Sequence, residues 1–299
     1  VAACVEAGDE VFAVSHSGKA IEGAHPVALD LRDHDATRAA VAKIRPDAVY
    51  HLAGQASVAL SWEDPRETMQ ANVDLTLGVL EAVRHEAHGA RLLAVGSGEI
   101  YGPPASLPVG EDAPLRPQNP YAVSKASADV LAGFYADAYG LNILRARAFN
   151  HAGPGQAPIF VVSSLARQAA QGLVEHQPSV RITTGNADAR RDFTDVRDVV
   201  HAYRLLVERA DPGAYNVCSG STSSAAEIIA ELRRSIDIEL EHVVDPSLVR
   251  ANEVLEIRGD NARLRAATGW EPEVPFEQTV GDTLAWWREE LAAAGAAAG

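Results

Sequence analysis

"DAVYHLAG", residues 47–54, is a short apolar run that closes on a glycine. Eight residues are too few for a typical amphipathic helix but suit a buried strand, and what lies on either side decides the fold. Upstream stand two more β-rich runs, "VFAVS" (11–15) and "PVALDL" (26–31), then "ATRAAVAKI" with helical spacing. Downstream the spacing predicts a helix near 65–86, the strand "RLLAVGS" (91–97), a Pro-rich loop to Asn119, a helix to about Tyr139 and the strand "NILRARAFN" (142–150). Strands that alternate with helices in this way form a doubly wound parallel sheet covered by helices on both faces, so the fold class is α/β.

After His151 the pattern changes. "HAGPGQAP" is loop-like, the elements shorten, and "DPGAYNVCSG" and "DPSLVRANEV" interrupt them. The expected division is therefore a first domain over 1–150 and a smaller region over 151–299, with some segments of the latter returning to the sheet. The tail "LAAAGAAAG" offers little apolar surface and is expected to fray. At the other end, "VAACVEAGDEV" reads as the last turns of a helix running through Gly8 into a strand, which implies further chain upstream and leaves a targeting segment open.

Composition narrows the function. The 299 residues carry 41 acidic and 26 basic side chains, a formal charge of -15, which argues against a nucleic-acid partner or an anionic membrane surface. An anionic ligand must meet a few local arginines instead. No apolar run reaches the roughly 20 residues that span a bilayer. The two cysteines, Cys4 and Cys218, lie far apart without neighbouring histidines, so neither a metal site nor a disulfide framework is expected, and a reducing cytoplasm fits.

Doubly wound sheets hold ligands beyond the carboxyl ends of their strands, so the loops after Val14, Leu29, Leu52, Ser97 and Asn150 carry the information. Gly54 would let the backbone approach a ligand closely. "VGSGEIYG" puts Ser97 and Glu99 at a strand end, facing the crevice bordered by the helix that "NPYAVSKASADV" (119–130) opens. In that helix Lys125 follows Tyr121 by four positions, about one turn, so both tips reach a common ligand. A phenol with its ordinary pKa near 10 is a poor proton donor or acceptor at neutral pH; a nearby ammonium is expected to lower it. A Ser/Tyr/Lys group then suits reduction of a carbonyl, with Tyr121 protonating the developing alkoxide. A solvated Tyr/Lys pair is the plain alternative.

"DLRD", "YHLAGQASV", "ANVDLTLGVLEAV", "SGEIYG", "NPYAVSKA", "RAFNHAGPGQ", "RRDFTDVRDVVHAY" and "YNVCSG" together resemble the extended short-chain dehydrogenase/reductase family, from Val1 to about Trp287. Within it the chain is most similar to GDP-6-deoxy-4-keto-D-mannose reductases, then to GDP-mannose 4,6-dehydratases; "FNHAGPGQ" followed by "FVVSSLARQ" is the reductase-like feature. The resemblance implies a Rossmann-like sheet that lacks its first strand and glycine-rich loop, with a smaller C-terminal substrate region.

It implies Ser97, Tyr121 and Lys125 as catalytic residues, with Glu99 either a base or an orienting carboxylate. For NADP(H) or NAD(H) it implies Asp30, Leu31, Leu52, Ala53, Gly54, Tyr121, Lys125 and His151; Asp30 is alternatively a cap and His151 alternatively structural. The segment "AVSHS" lacks the acidic residue that favours NAD, which tilts the expectation to NADP. For a GDP-sugar it implies Ser97, Asn150, Arg191, Arg250 and Glu253, the guanidinium forks suiting phosphates.

The apolar residues on the helices near 65–86 and 120–139 exceed what one sheet face needs, and in the family such helices make a homodimer through a four-helix bundle. "FTDVRDVVHAY" supplies Thr194 or Asp195 as a helix cap. Reduction of the C4 keto group of a GDP-4-keto-6-deoxyhexose to GDP-D-rhamnose is the leading expectation. A GDP-mannose 4,6-dehydratase and a catalytically silent sugar-nucleotide binder are its rivals.

Overall fold

A computed structural model describes residues 1–248 and 254–298. The chain opens with α1 (Ala2–Glu6), β1 (Phe12–Ser15), β2 (His25–Ala28), α2 (His34–Ile44) and β3 (Ala48–His51). Helices α3 (Val58–Glu63), α4 (Pro65–Met69) and α5 (Leu75–Glu86) lead to β4 (Arg91–Ser97), with a π-helical turn, Gln70–Asp74, between α4 and α5. A 3-10 turn (Gly98–Tyr101) and a loop precede α6 (Pro120–Tyr139), β5 (Asn142–Ala148) and β6 (Asn150–Ala152). Then follow α7 (Val161–Val174), β7 (Ser179–Thr184), β8 (Arg190–Asp195), α8 (Val196–Arg209), β9 (Gly213–Val217) and β10 (Thr222–Ser224). The chain continues through α9 (Ala225–Ser235), β11 (Glu239–Val244), β12 (Glu256–Ile257), α10 (Ala262–Thr268) and α11 (Phe276–Ala298).

The central sheet runs β3-β4-β5-β9, all parallel. Its two faces follow from the period-two alternation of strand side chains. Leu92 and Ala94 of β4 and Ile143 of β5 pack with Val79, Leu80 and Val83 of α5 and Ala132 and Tyr135 of α6. The intervening Leu93 and Leu144 face the other way, against Leu205 and Leu206 of α8 and Leu264 of α10. Leu93 and Leu144 are fully buried, each contributing about 1.5–3 kcal/mol relative to exposure. Burial on both faces explains why these strands read as continuous apolar runs.

The sheet is divided: β1 and β2 form a parallel pair of their own, and β3 is an edge of the central sheet. Strand β9 lies well past His151 yet pairs with β5. The remaining strands form a mixed sheet, β10-β8-β12 with β6 also on β8, and a parallel pair, β11 with β7. A second core lies here, where α7, α9 and α11 enclose Leu165, Ile182, Ile228 and Val280.

Local chemistry sets the helix ends that matter for the site. Asn119 caps α6 by accepting from the Ala122 N–H at 2.7 Å, Pro120 occupies the first turn, and Gly140 ends the helix in the left-handed conformation. Of the two candidates before α8, Asp195 is the cap, accepting from the Arg197 N–H at 2.8 Å. The alanine-rich tail is helical, continuing α11 to Ala298, consistent with alanine having the highest helix propensity.

Candidate active site

Ser97 ends β4 and is buried; its hydroxyl accepts from the Glu99 N–H at 3.2 Å and so caps the 3-10 turn that carries Glu99. The phenol of Tyr121, on the first turn of α6, is buried near the same hydroxyl, which acts to lower its pKa. Glu99 is half-buried and receives a long contact, 3.5 Å, from the Asn119 side-chain amide. Asn119 therefore serves both the helix cap and the carboxylate.

A buried network fixes the 3-10 turn against α6. Arg147 of β5 grips Asp129 of α6 in a fork, at 3.0 and 2.8 Å, and donates at 3.0 Å to the Tyr101 hydroxyl, which donates at 2.7 Å to Asn216 of β9. Asp129 lies two turns beyond Tyr121, so the helix holding the phenol and the turn holding Glu99 are joined through one ion pair. Paired in this geometry the buried charges are tolerated; either one alone would be strongly destabilising.

The electrostatics differ from the expectation. Burial pushes the Tyr121 phenol up to about 12; the Ser97 hydrogen bond opposes this and the Glu99 charge adds to it. Lys125 makes no contribution to that shift. Its ammonium is turned to the Val95 carbonyl, at 3.2 Å, and burial lowers its own pKa to about 8. The helical spacing put both side chains on one face, but the tertiary contact with β4 decides where the ammonium points.

Lys125 instead borders the loop after β3. Gly54 has φ +152°, and a Cβ there would meet the Asn72 Oδ1 at 2.5 Å and the Lys125 Nζ at 3.5 Å. Asn72, buried in the π-helical turn, accepts from the Gln55 N–H at 2.9 Å and donates to Gln55 O at 3.1 Å and to Ser124 Oγ at 2.8 Å, so it pins the loop to α6. Beside it His51 is buried against Thr76 at 3.1 Å, and burial, helped by the Lys125 charge, lowers its pKa to about 4. Leu52, Ala53 and Gly54 are exposed beyond the end of β3. This surface, backed by a cationic Lys125, fits a dinucleotide: the glycine leaves room for close backbone approach and the ammonium supplies donors for sugar hydroxyls.

Other positions read for the cofactor divide. Asp30, after β2, is exposed and accepts from the Arg32 N–H at 3.0 Å, while Asp33 caps α2. Leu31 packs partly buried against the core beneath α5. His151 is exposed on β6, its Nδ1 3.4 Å from the Phe149 carbonyl, one position on from Asn150.

A small recess is lined by Ser97, Glu99, Phe149, Asn150, Arg191 and Asp192, among others. It gathers residues that the sequence scatters over nearly a hundred positions. Arg191 is on β8, and its guanidinium donates to the carbonyls of Arg190 and Val254, each at 2.9 Å. Arg250 and Glu253 lie outside the described residues. Among those described, no group of His, Cys, Asp and Glu side chains could hold a metal ion, and no helix is long and apolar enough to cross a membrane.

Three supporting residues escaped the sequence reading. Asn119 was within reach of it, since Asn before Pro is a helix-start signal. Asn72 was not, because a π-turn inside a helical pattern leaves no local mark. Asp192, an acid in the middle of a strand, was a signal passed over.

A doubly wound sheet with serine, tyrosine and lysine gathered at its carboxyl edge places the chain among NAD(P)-dependent enzymes of the extended short-chain dehydrogenase/reductase class. The family profile described as GDP-mannose 4,6 dehydratase matches residues 12–283, and the chain belongs to that family. It is 41% identical over 252 residues, 82% of either chain, to the GDP-6-deoxy-D-mannose reductase of Pseudomonas aeruginosa. Against GDP-mannose 4,6 dehydratase 1 of Arabidopsis thaliana it is 32% identical, covering 84% of this chain and 70% of that one. Among solved structures, RMD from Pseudomonas aeruginosa complexed with NADPH aligns with a TM-score of 0.82 at 37% identity, covering 89% of this chain and 90% of the other. The UDP-glucose 4-epimerase of Thermotoga maritima with UDP-glucose aligns with a TM-score of 0.87 at 26% identity, over 97% and 94%.

Proposed function

We propose that the protein reduces the C4 keto group of a GDP-4-keto-6-deoxyhexose, GDP-4-keto-6-deoxy-D-mannose to GDP-D-rhamnose, using NADPH or NADH. The observation that carries the reading is the buried Ser97 hydroxyl, which lines one recess with Asn150 and Arg191 and also lies near the Tyr121 phenol. The nicotinamide cofactor, when bound, supplies the hydride. Ser97 donates a hydrogen bond to the keto oxygen, and Tyr121 passes its proton to that oxygen as charge develops. A phenol held near 12 is fully protonated at neutral pH and so starts as the acid. Lys125 orients the cofactor's ribose from the Gly54 side, and Arg191 meets the substrate's phosphates. In this reading residues 1–150 form the cofactor domain and 151–299 mainly the substrate region, with β9 returning to the sheet.

The test is incubation of the protein with the GDP-keto sugar and NADPH. Oxidation of NADPH with formation of a GDP-deoxyhexose is expected; failure with every GDP-keto sugar would remove the proposal. A second reading, GDP-mannose 4,6-dehydratase, draws on Glu99 beside Ser97 and predicts consumption of GDP-mannose without added reductant.

The assembly proposed is a cytoplasmic homodimer through a four-helix bundle. Val123, Val130 and Phe134 form an exposed stripe on the outer face of α6, and Trp62 of α3 and Met69 of α4 stand exposed on helices packed beside it. A helix-to-helix interface would cover these side chains. Phe134→Glu is expected to convert the dimer to monomer in sedimentation, and a wild-type monomer at micromolar concentration would sink the idea.

A further inference from the structure

The Asp192 carboxylate is 1% exposed, and donors converge on both of its oxygens. Oδ1 accepts from the Ser219 N–H and the Ser219 hydroxyl, both at 2.8 Å. Oδ2 accepts from the N–H groups of Gly220 at 3.0 Å and Gly259 at 3.1 Å. Burial raises the carboxyl's pKa, and these hydrogen bonds oppose the shift. Three separate pieces of chain are thereby tied together: β8, the turn after β9, and the segment that leaves β12.

That convergence is part of the wall of the recess, which Asp192 itself lines. Strand β12 is paired to β8 over only two residues, Glu256 with Arg190 and Ile257 with Arg191. Just past its end Gly259 is held from two sides, by its N–H to Asp192 and by a bridge to Val109, whose N–H donates to the Arg258 carbonyl at 2.8 Å. Gly259 is itself packed without slack: a Cβ there would sit 2.4 Å from the Cys218 sulfur and 2.8 Å from the Phe149 ring, and Phe149 and Ile257 line the recess with Arg191. A carboxylate suits this position where an amide does not. It accepts on both oxygens, whereas asparagine must set an NH2 against either the Ser219 donors or the two glycine N–H groups.

We infer that Asp192 is a positioning residue for the sugar nucleotide: by clamping β12 and the 219–220 turn it holds the Arg191 wall of the recess in its binding geometry, while leaving the cofactor surface and the Ser97/Tyr121 contact to other supports. The inference rests on the proposed reading of the recess as a nucleoside-diphosphate-sugar site. The supports on the other side, the Asn72 contacts with Gln55 and Ser124 and the Arg147–Asp129 pair, share no hydrogen bond with Asp192.

The decisive experiment is calorimetry with GDP and with NADPH, alongside steady-state kinetics, on wild type, Asp192→Asn and Ser219→Ala. Asp192→Asn is expected to lower GDP affinity and raise KM for the sugar nucleotide by roughly 10- to 100-fold, the effect of losing charged hydrogen bonds, with kcat and NADPH affinity within about threefold of wild type. Ser219→Ala, which removes only one donor, is expected to shift GDP affinity the same way by about threefold. Equal GDP affinity in wild type and Asp192→Asn overturns the inference, as does a parallel fall of GDP affinity, NADPH affinity and kcat. Should Asp192→Asn not fold, Ser219→Ala decides, and unchanged GDP affinity in it counts against the clamp. A wild-type protein that binds none of GDP, UDP and dTDP refutes the sugar-nucleotide reading itself, and this inference with it.

Discussion

The two walls of the candidate site are built by different means. One is local: Tyr121 and Lys125 share a helical turn, Asn119 caps that turn, and Ser97 and Glu99 are two residues apart at a strand end. The other is assembled from a distance, for Asp192 reaches partners 27 and 67 positions away to join β8, the 219–220 turn and Gly259. The first wall takes its spacing from one helix and one strand end, tied together by Arg147 and Asp129; the second has its geometry only once the C-terminal region has folded back. Chemistry should therefore depend mainly on the first wall and substrate affinity mainly on the second.

The sharpest challenge is Tyr121→Phe. Loss of the phenolic proton is expected to lower kcat by about 10²–10⁴-fold while leaving substrate affinity and thermal stability close to wild type. An equal loss of sugar-nucleotide binding, measured by calorimetry, would erase the distinction between the walls. Asp129→Ala probes what supports the first wall. It leaves the buried Arg147 without its counter-charge and is expected to remove about 3–5 kcal/mol from the unfolding free energy in a urea titration.

Lys125 gives a pH signature. Burial places its pKa near 8, so the ammonium is present below that value and lost above it. NADPH affinity of the wild type should weaken as pH rises through about 8; Lys125→Met should bind more weakly by about tenfold at neutral pH and lose that dependence. An unchanged pH profile in the variant would assign the titration to another group. The smallest effect is expected from Gly54→Ala. Its Cβ would fall 2.5 Å from Asn72 Oδ1 at a positive φ, and the displaced loop should weaken NADPH binding several-fold with the sugar-nucleotide KM unmoved.

Much of the first wall was legible because its signals are short in range. Apolar runs of strand length between helical patterns predicted β4 and β5, and a proline followed by Tyr and Lys one turn apart placed α6 and its face. Even there the reading stopped at the ammonium: spacing predicted that Lys125 acts on the Tyr121 phenol, whereas the Val95 carbonyl holds it and burial governs both groups. The second wall was legible only as candidate residues, Asn150 and Arg191, without the carboxylate that joins their surroundings. Asn72 was invisible for a related reason, since the π-turn that aims it at Gln55 and Ser124 interrupts no apolar spacing.

By itself the sequence determined the alternation of strands and helices, the helix that carries Tyr121 and Lys125, and the capping residues at its start, because each follows from steric and hydrogen-bonding preferences within a few residues. Only the tertiary structure decided where the lysine points, which aspartate is buried among amides, and that β9 returns to pair with β5. Those outcomes depend on burial and on partners far along the chain, and burial is a property of the packed whole.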